Sequence, residues 1–221
     1  NVKTLEGRDE IAAMLRAVLL SVRPESWRLE GEAVERDGVV EAWLLFETAA
    51  GRGCGHLRLK NGRCWTLLTT LRELKGHEEK AGETRPKGVE HGVHPGRRSW
   101  QEERSARQAA LGSTEQPYCL IVGGGQGGIA LAARLKRLDV SALVVERHPR
   151  AGDSWRARYK SLCLHDPVWY DHLPYLPFPD HWPVFTPKDK MGDWLEAYAK
   201  VMELDVWGGT TCVGARRDGR Q

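Results

Sequence analysis

The sequence has no apolar run approaching the ~20 residues needed to cross a bilayer, so no membrane span is predicted. It also has little net charge, because 33 basic and 30 acidic side chains give a formal +3, scattered along the chain. Nucleic acid and anionic membranes are therefore not predicted as partners. With 41% hydrophobic and 29% charged residues over 221 positions, the composition is typical of a soluble globular protein of one or two domains.

Cysteine is scarce, and the five cysteines include no C-x-x-C pair. An odd number without close pairs argues against a disulfide framework. No secretory leader with a charged start and a short apolar core opens the chain. These features predict a reducing, cytoplasmic compartment. Because the sequence runs from Asn1 rather than Met to Gln221, we expect it to be a piece of a longer protein.

Residues 1–75 are predicted to form a small α+β domain. Between Arg8 and Leu20, apolar residues recur at helical spacing and acidic residues occupy the first turn. Asp37-Gly38 and Asn61-Gly62 each separate two extended runs, and such pairs supply the positive backbone dihedrals of a tight hairpin. The pattern predicts one helix followed by a four-stranded antiparallel meander.

A charged linker is predicted at residues 76–115, where β-branched and aromatic residues give way to Lys, Arg, Glu, Gly and His, and a polar helix is predicted near its end, around Trp100–Leu111. A second domain is predicted at 116–221. It opens with the continuous apolar run Tyr118–Val122, which is typical of a buried parallel strand. Glycines, a helical segment and a second apolar run at Ala142–Val145 follow, which completes a βαβ unit in about 30 residues.

The turn after the first of these strands contains G-x-G-x-x-G at Gly123, Gly125 and Gly128. In this pattern the first glycine allows a tight turn, the second lets the backbone approach a pyrophosphate, and the third permits close packing of helix on strand. The helix N-terminus supplies the anion site. Glu146 ends the second strand, 18 residues beyond Gly128, where a carboxylate can accept hydrogen bonds from ribose hydroxyls. The pattern alone leaves FAD and NAD equally open as the dinucleotide.

The segment after Glu146 is rich in aromatic residues and proline. It contains Gly152-Asp153-Ser154-Trp155, then Arg158-Tyr159, a long stretch from Leu164 to Pro179, and Trp182–Lys190. This segment resembles the flavin-containing monooxygenases, in which a G-G-x-W-like turn and an R-Y pair follow the first dinucleotide-binding unit. The sequence departs from that pattern at Ala151, where the family often has a glycine.

The resemblance implies FAD as the bound cofactor, with Trp155 and Arg158 as flavin neighbours and with His165 and Asp166 close to the flavin ring. No metal site is expected, because the adjacent His165 and Asp166 have no further His or carboxylate partners at a recognisable spacing. Neither the resemblance nor the residues assign a catalytic side chain. The residues expected to bind the cofactor are Gly123, Gly125, Gln126, Gly127, Gly128, Glu146, Arg147, Trp155, Arg158, His165 and Asp166.

The same resemblance implies an activity. In the family, NADPH reduces the flavin, and a peroxyflavin then transfers one oxygen atom to a small organic substrate. The family's second G-x-G-x-x-G, for NADPH, and its F-x-G-x-x-x-H stretch do not occur in these 221 residues. The NADPH site is therefore expected in a C-terminal part outside this sequence, and the chain alone is expected not to oxidise NADPH.

The front domain, rich in tryptophan, resembles the cone-shaped nuclear-transport-factor-two-like or SnoaL-like fold. That resemblance implies either a ligand-binding module or a dimerising one, so a homodimer is one expected assembly. The fold class is thus an α+β cone-like domain followed by an incomplete α/β, Rossmann-type FAD-binding domain. Two other functions stay open: an FAD-dependent pyridine-nucleotide reductase without oxygenation, and a non-catalytic remnant that acts as a binding or dimerisation module.

Overall fold

The computed structural model describes residues 3–217 and 219, and the chain divides into two units, Asn1–Glu79 and Lys80–Gln221. Within the described residues, no helix has both the length and the apolar character that crossing a membrane would require.

The first unit begins with helix α1 (Gly7–Val22), which ends where Arg23 adopts a left-handed conformation and its N–H bonds to the carbonyl oxygen of Leu19. The five antiparallel strands that follow form one sheet. They are β1 (Glu25–Leu29), β2 (Val34–Arg36), β3 (Val39–Glu47), β4 (Gly51–Lys60) and β5 (Arg63–Leu74).

The sequence predicted four strands in this unit, and the structure has five because the first predicted run is interrupted. Its two parts, β1 and β2, both pair with β3. Between them Gly31 adopts a positive φ of 82°, and the four residues 30–33 stand opposite only two residues of β3. The extra residues cannot follow the ladder, so they form a bulge that splits the strand.

The two predicted hairpin turns are present. Asp37 and Gly38 both have positive φ between β2 and β3, as do Asn61 and Gly62 between β4 and β5. In β4, a Cβ added at Gly53 would overlap the ring of Phe46, which stacks on Trp27 with centroids 4.6 Å apart. Glycine in this strand therefore lets an aromatic ring lie across the sheet.

The second unit contains a parallel sheet with strand order β6-β7-β8, built from Cys119–Val122, Ala142–Val145 and Val206–Trp207. Helix α3 (Gln126–Arg137) connects β6 to β7, and Gly152 precedes the single-turn helix α4 (Asp153–Arg156). Helix α5 (Lys188–Val201) buries Leu195 and Tyr198 in the core of this unit, together with Ile129 of α3 and Val144 of β7.

The segment expected to be a linker contains helix α2 (Trp100–Ala110), which lies within the second unit. A capping box starts the helix, since Glu102 N–H donates to Ser99 Oγ and Ser99 N–H donates to Glu102 Oε2. Arg107 near its end forms an ion pair with Asp205 at 3.0 Å. Charged residues of this segment thus make local and tertiary hydrogen bonds.

Candidate dinucleotide-binding site

The glycine turn joins the carboxyl end of β6 to the N-terminus of α3. Gly123 leaves the strand with φ of 105°, a conformation that side-chain-bearing residues rarely adopt. Its N–H donates to the carbonyl oxygen of Val145 at 2.8 Å, which ties the turn to the end of β7. The turn therefore lies at the carboxyl edge of the parallel sheet, where α/β proteins bind ligands.

The glycines of this turn meet different surroundings. A Cβ added at Gly128 would overlap the carbonyl oxygen of Gly123, so this glycine allows α3 to pack directly against the turn. Atoms added at Gly125 or Gly127 would meet nothing within 4 Å. Packing explains glycine at position 128, whereas open space at 125 and 127 leaves room for a ligand to approach the backbone.

The N-terminus of α3 is suited to an anion. In an α-helix the first N–H groups lack intrahelical acceptors, and here those of Gln126, Gly127 and Gly128 occupy these positions. The capping residue is Gly125, which has no side chain to accept from them, and the first turn contains no acidic residue. By contrast, α1, α2 and α5 all carry acidic residues in their first turns. The positive end of the α3 dipole is thus left for an external anion.

Glu146 lies at the end of β7, next to the glycine turn, and is buried. Its Oε2 accepts from the N–H of Gly124 at 2.6 Å, and its Oε1 accepts from the N–H of His148 at 2.9 Å. A Cβ at Gly124 would lie 3.0 Å from Cβ of Glu146, which explains the additional glycine in the turn. Both carboxylate oxygens are therefore held by backbone donors beside the predicted ribose position.

Trp155 is also brought to this turn. Its indole Nε1 donates to Oε1 of Gln126 at 3.0 Å, which links helix α4 to the first residue of α3. The predicted cofactor residues Gly123, Gly125, Gln126, Gly127, Gly128, Glu146 and Trp155 therefore form one continuous group around the end of the sheet.

The other predicted residues lie outside this group. The guanidinium of Arg147 contacts the ring of His148, and Arg158 is exposed just after α4. His165 and Asp166 face each other at 3.5 Å and are both exposed. Among the described residues, no hydrogen bond or ion pair joins these four side chains to the glycine turn. Their predicted contact with a flavin stays a prediction.

Asp171 lies near the His165–Asp166 pair. Its Oδ2 is buried without a hydrogen-bond partner among the described residues. Burial, and then the charge of Asp166, raise the pKa of the Asp171 carboxyl. The sequence pattern gave no reason to select this residue, because its environment depends on the fold of an irregular segment.

Sequence reasoning missed the residues that hold α4 in place. Gly152 approaches α5 so closely that an added Cβ would overlap the backbone of Gly192. The guanidinium of Arg156 bonds to Asp193 at 2.7 Å and to Glu196 at 2.9 Å, both on α5. No local pattern indicated these contacts, because Arg156 and its two partners are 37 and 40 positions apart in the sequence.

A cavity of about 310 Å³ lies at the opposite, amino end of β7, beside Ala142. Its lining includes Lys136, which donates to the carbonyl oxygen of Glu203 at 2.6 Å, and Asp205, which is paired with Arg107. Burial lowers the pKa of the Lys136 ammonium, although the charge of Glu203 opposes this. Because these charges are already paired, the glycine turn is the better candidate site.

The fold and the glycine turn define a dinucleotide-binding βαβ unit. Consistent with this class, residues 121–178 match the NAD(P)-binding Rossmann-like domain family. Residues 121–178 of the second unit are thus similar to a Rossmann-like domain. The cone-like fold of the front unit stays a prediction.

Several curated relatives are similar to part of the chain. Indole-3-pyruvate monooxygenase YUCCA1 of Oryza sativa subsp. japonica is 43% identical over 103 residues, covering 46% of this chain and 25% of the relative. The uncharacterized CzcO-like oxidoreductase of Geobacillus kaustophilus is 32% identical over 99 residues, 45% of this chain and 28% of the relative. Indole-3-pyruvate monooxygenase YUCCA6 of Arabidopsis thaliana is 34% identical over 86 residues, 38% of this chain and 21% of the relative. The two plant relatives are named as monooxygenases and the bacterial one as an oxidoreductase, and the chain spans under a third of the length of each.

Two solved structures are also similar. A flavin-containing monooxygenase from Stenotrophomonas maltophilia aligns with a TM-score of 0.39 at 23% identity over 41% of this chain and 28% of that structure. A structure of OTEMO in complex with FAD and NADP aligns with a TM-score of 0.39 at 20% identity over 44% of this chain and 20% of that structure. Scores below 0.5 do not establish a shared fold.

Proposed function

We propose that the second unit is the FAD-binding βαβ unit of a flavin-dependent, NADPH-using monooxygenase that acts on a small organic substrate. The observation that carries the proposal is the glycine turn at the N-terminus of α3, with Glu146 bonded to Gly124 beside it. Support also comes from the monooxygenases that share about 100 residues with this chain.

The residues present fit a dinucleotide. Open space beside Gly125 and Gly127 would accept a pyrophosphate, and the free N–H groups at the start of α3 would donate to it. The Glu146 carboxylate would accept from the ribose hydroxyls, exchanging its bond to Gly124 for them. Its negative charge disfavours a 2′-phosphate, so this turn suits FAD better than NADPH.

When bound, the flavin would take a hydride from NADPH and support oxygen transfer from O₂. The protein's own contribution at this site is to hold the ADP end of the cofactor and thereby fix the position of the ring. These 221 residues contain one G-x-G-x-x-G, so they offer one site of this type. No side-chain acid or base is proposed.

Two alternative functions differ in their products. An FAD-dependent reductase would use the same turn but yield no oxygenated product. A non-catalytic remnant would bind no flavin and would act through binding or dimerisation of the front unit. The homodimer expected from the resemblance of the front unit is compatible with each of these functions and stays a prediction.

Titration of the purified 221-residue chain with FAD, ADP, NADP⁺ and NADPH distinguishes a flavin-binding unit from the non-catalytic module. We expect one FAD per chain, competition by ADP, weaker binding of NADP⁺, and no oxidation of NADPH. Oxidation of NADPH by this chain without an oxygenated product would favour the reductase. Failure to bind FAD or ADP, with dimers in sedimentation, would favour the non-catalytic module.

A further inference from the structure

In the hydrogen bond between Trp155 and Gln126, the chemistry of the two side chains fixes which group donates and which accepts. Trp155 Nε1 lies 3.0 Å from Oε1 of Gln126. An indole N–H can only donate, whereas a glutamine amide has an acceptor oxygen at one end and a donor NH₂ at the other. The indole therefore selects the amide oxygen, and the NH₂ group of Gln126 keeps two donors for another partner.

The orientation of this amide matters because Gln126 lies at the end of α3 where an anion would bind. Gln126 is the first residue of α3, the helix whose N-terminus has unpaired N–H groups and no acidic residue in its first turn. An anion at this end of the helix is bound by donors and repelled by acceptors. An unconstrained amide could rotate and present its oxygen instead.

We propose that Trp155 is a positioning residue, which holds the Gln126 side chain with its NH₂ group available to the pyrophosphate of the dinucleotide. This inference rests on the proposed function, since it assigns a role at the same site. It explains why a tryptophan, a donor without an acceptor, lies beside the phosphate-binding turn.

Trp155 itself is firmly held, as a positioning residue must be. The backbone N–H of Trp155 donates to the carbonyl oxygen of Gly152 at 2.9 Å, and the Trp155 side chain packs against the buried core of the second unit. The neighbouring Arg156 ties α4 to α5 through Asp193 and Glu196. The indole therefore approaches Gln126 from a part of the fold fixed by packing and by ion pairs.

A double-mutant cycle tests the pairing. We expect W155F and Q126A each to weaken binding of both FAD and ADP by about 3- to 10-fold, the worth of about one hydrogen bond. The double variant should bind no more weakly than the weaker single variant, because W155F releases and Q126A removes the same oriented Gln126 amide. Q126E should bind more weakly than Q126A, since its carboxylate still accepts from the indole but opposes the pyrophosphate.

W194F is the matched control. Trp194 packs against the same core, and its buried Nε1 has no hydrogen-bond partner among the described residues. Replacing it also removes one indole N–H, but not one that orients an amide. Its affinity for FAD should stay within about twofold of the wild type, well below the effect of one lost hydrogen bond.

The outcomes separate the inference from the proposed function. Additive effects in the cycle, or equal affinities of Q126E and Q126A, would overturn the positioning role while FAD binding by the wild type leaves the proposed function standing. A wild-type chain that binds neither FAD nor ADP overturns both. In the unliganded protein, Q126A should shift the NMR signal of the Trp155 indole N–H and speed its hydrogen exchange, and an unchanged signal would also refute the pairing.

Discussion

The two units of this chain differ in where their buried side chains lie. In the second unit, α3 buries Ile129, Ala132 and Ala133, and three of the four residues of β7 are buried. In the first unit, none of the described residues of α1 or β5 is buried. The second unit is therefore packed through helix and sheet, whereas the buried apolar residues of the first unit, such as Phe46 and Cys54, lie within the sheet itself, in β3 and β4. The candidate cofactor site lies in the unit with the packed core.

The largest expected difference between the units is in the loss of unfolding free energy when a helical isoleucine is replaced by alanine. Ile129 in α3 is fully buried, and Ile11 in α1 is 42% exposed. We expect Ile129→Ala to lower the free energy of unfolding of its unit by about 3 kcal/mol, because it leaves a cavity in the core. Ile11→Ala should cost less than about 1 kcal/mol, since little buried surface is lost. Hydrogen exchange of each helix, measured as a function of urea concentration, gives the loss of unfolding free energy for each variant. Equal losses for the two substitutions would refute the comparison.

A second substitution tests the glycine turn. An alanine at Gly128 would overlap the carbonyl oxygen of Gly123, so Gly128→Ala should lower stability by about 1–3 kcal/mol. Gly127→Ala is its control, because the added methyl meets nothing within 4 Å and alanine favours the helix. Thermal unfolding by circular dichroism compares the two variants. If Gly127→Ala proved the more damaging, close packing could not be the reason for glycine at position 128.

Alkaline pH should lower the free energy of unfolding of the second unit, which contains all five tyrosines. Burial raises the pKa of Tyr198 from 10.0 to about 12. Above pH 10 the unfolded chain releases this proton before the folded chain does, so stability falls as pH rises to about 12. The full effect amounts to about 2–3 kcal/mol.

Urea midpoints measured from pH 9 to pH 12 reveal this loss, and Tyr198→Phe serves as the comparison. The variant gives up the hydrogen bond from Tyr198 to the carbonyl oxygen of Pro174 but has no proton to release. Its stability should decline less steeply over this range. Parallel declines of wild type and variant would exclude Tyr198 as the cause.

The smallest effect concerns the turns of the first unit. Gly62 has φ of 70°, so Gly62→Ala should cost about 1 kcal/mol through strain in the left-handed conformation. The neighbouring Asn61 has φ of 54°, which glycine adopts without that strain, so Asn61→Gly should be nearly neutral. Hydrogen exchange of β4 and β5 measures the difference. Equal protection in the two variants would show that the turn does not hold the hairpin.

Local chemistry explains which features the sequence predicted. The Asp-Gly and Asn-Gly turns and the glycine pattern each depend on backbone conformation within a few residues, and the structure contains them. The interruption between β1 and β2 was missed because Gly31 lies in a run whose other residues suit a strand. A single glycine does not show whether a strand continues or bulges.

The parts of the site that depend on distant residues were less predictable. The bond from Trp155 to Gln126 joins residues 29 positions apart, and the anchoring of Arg156 by Asp193 and Glu196 spans about 40. Such pairs are set by the path of the irregular segment after Glu146, for which no periodic pattern exists. For the same reason the exposure of His165 and Asp166 could not be inferred from their sequence neighbours.

Hydrogen exchange of the whole chain with and without FAD tests the central claim most directly. We expect FAD to protect the amides of Gly123–Gly128 and the region around Glu146 in the second unit, and to leave hydrogen exchange in α1 and β5 of the first unit unchanged. Protection confined to the first unit, or none at the glycine turn under saturating FAD, would contradict it.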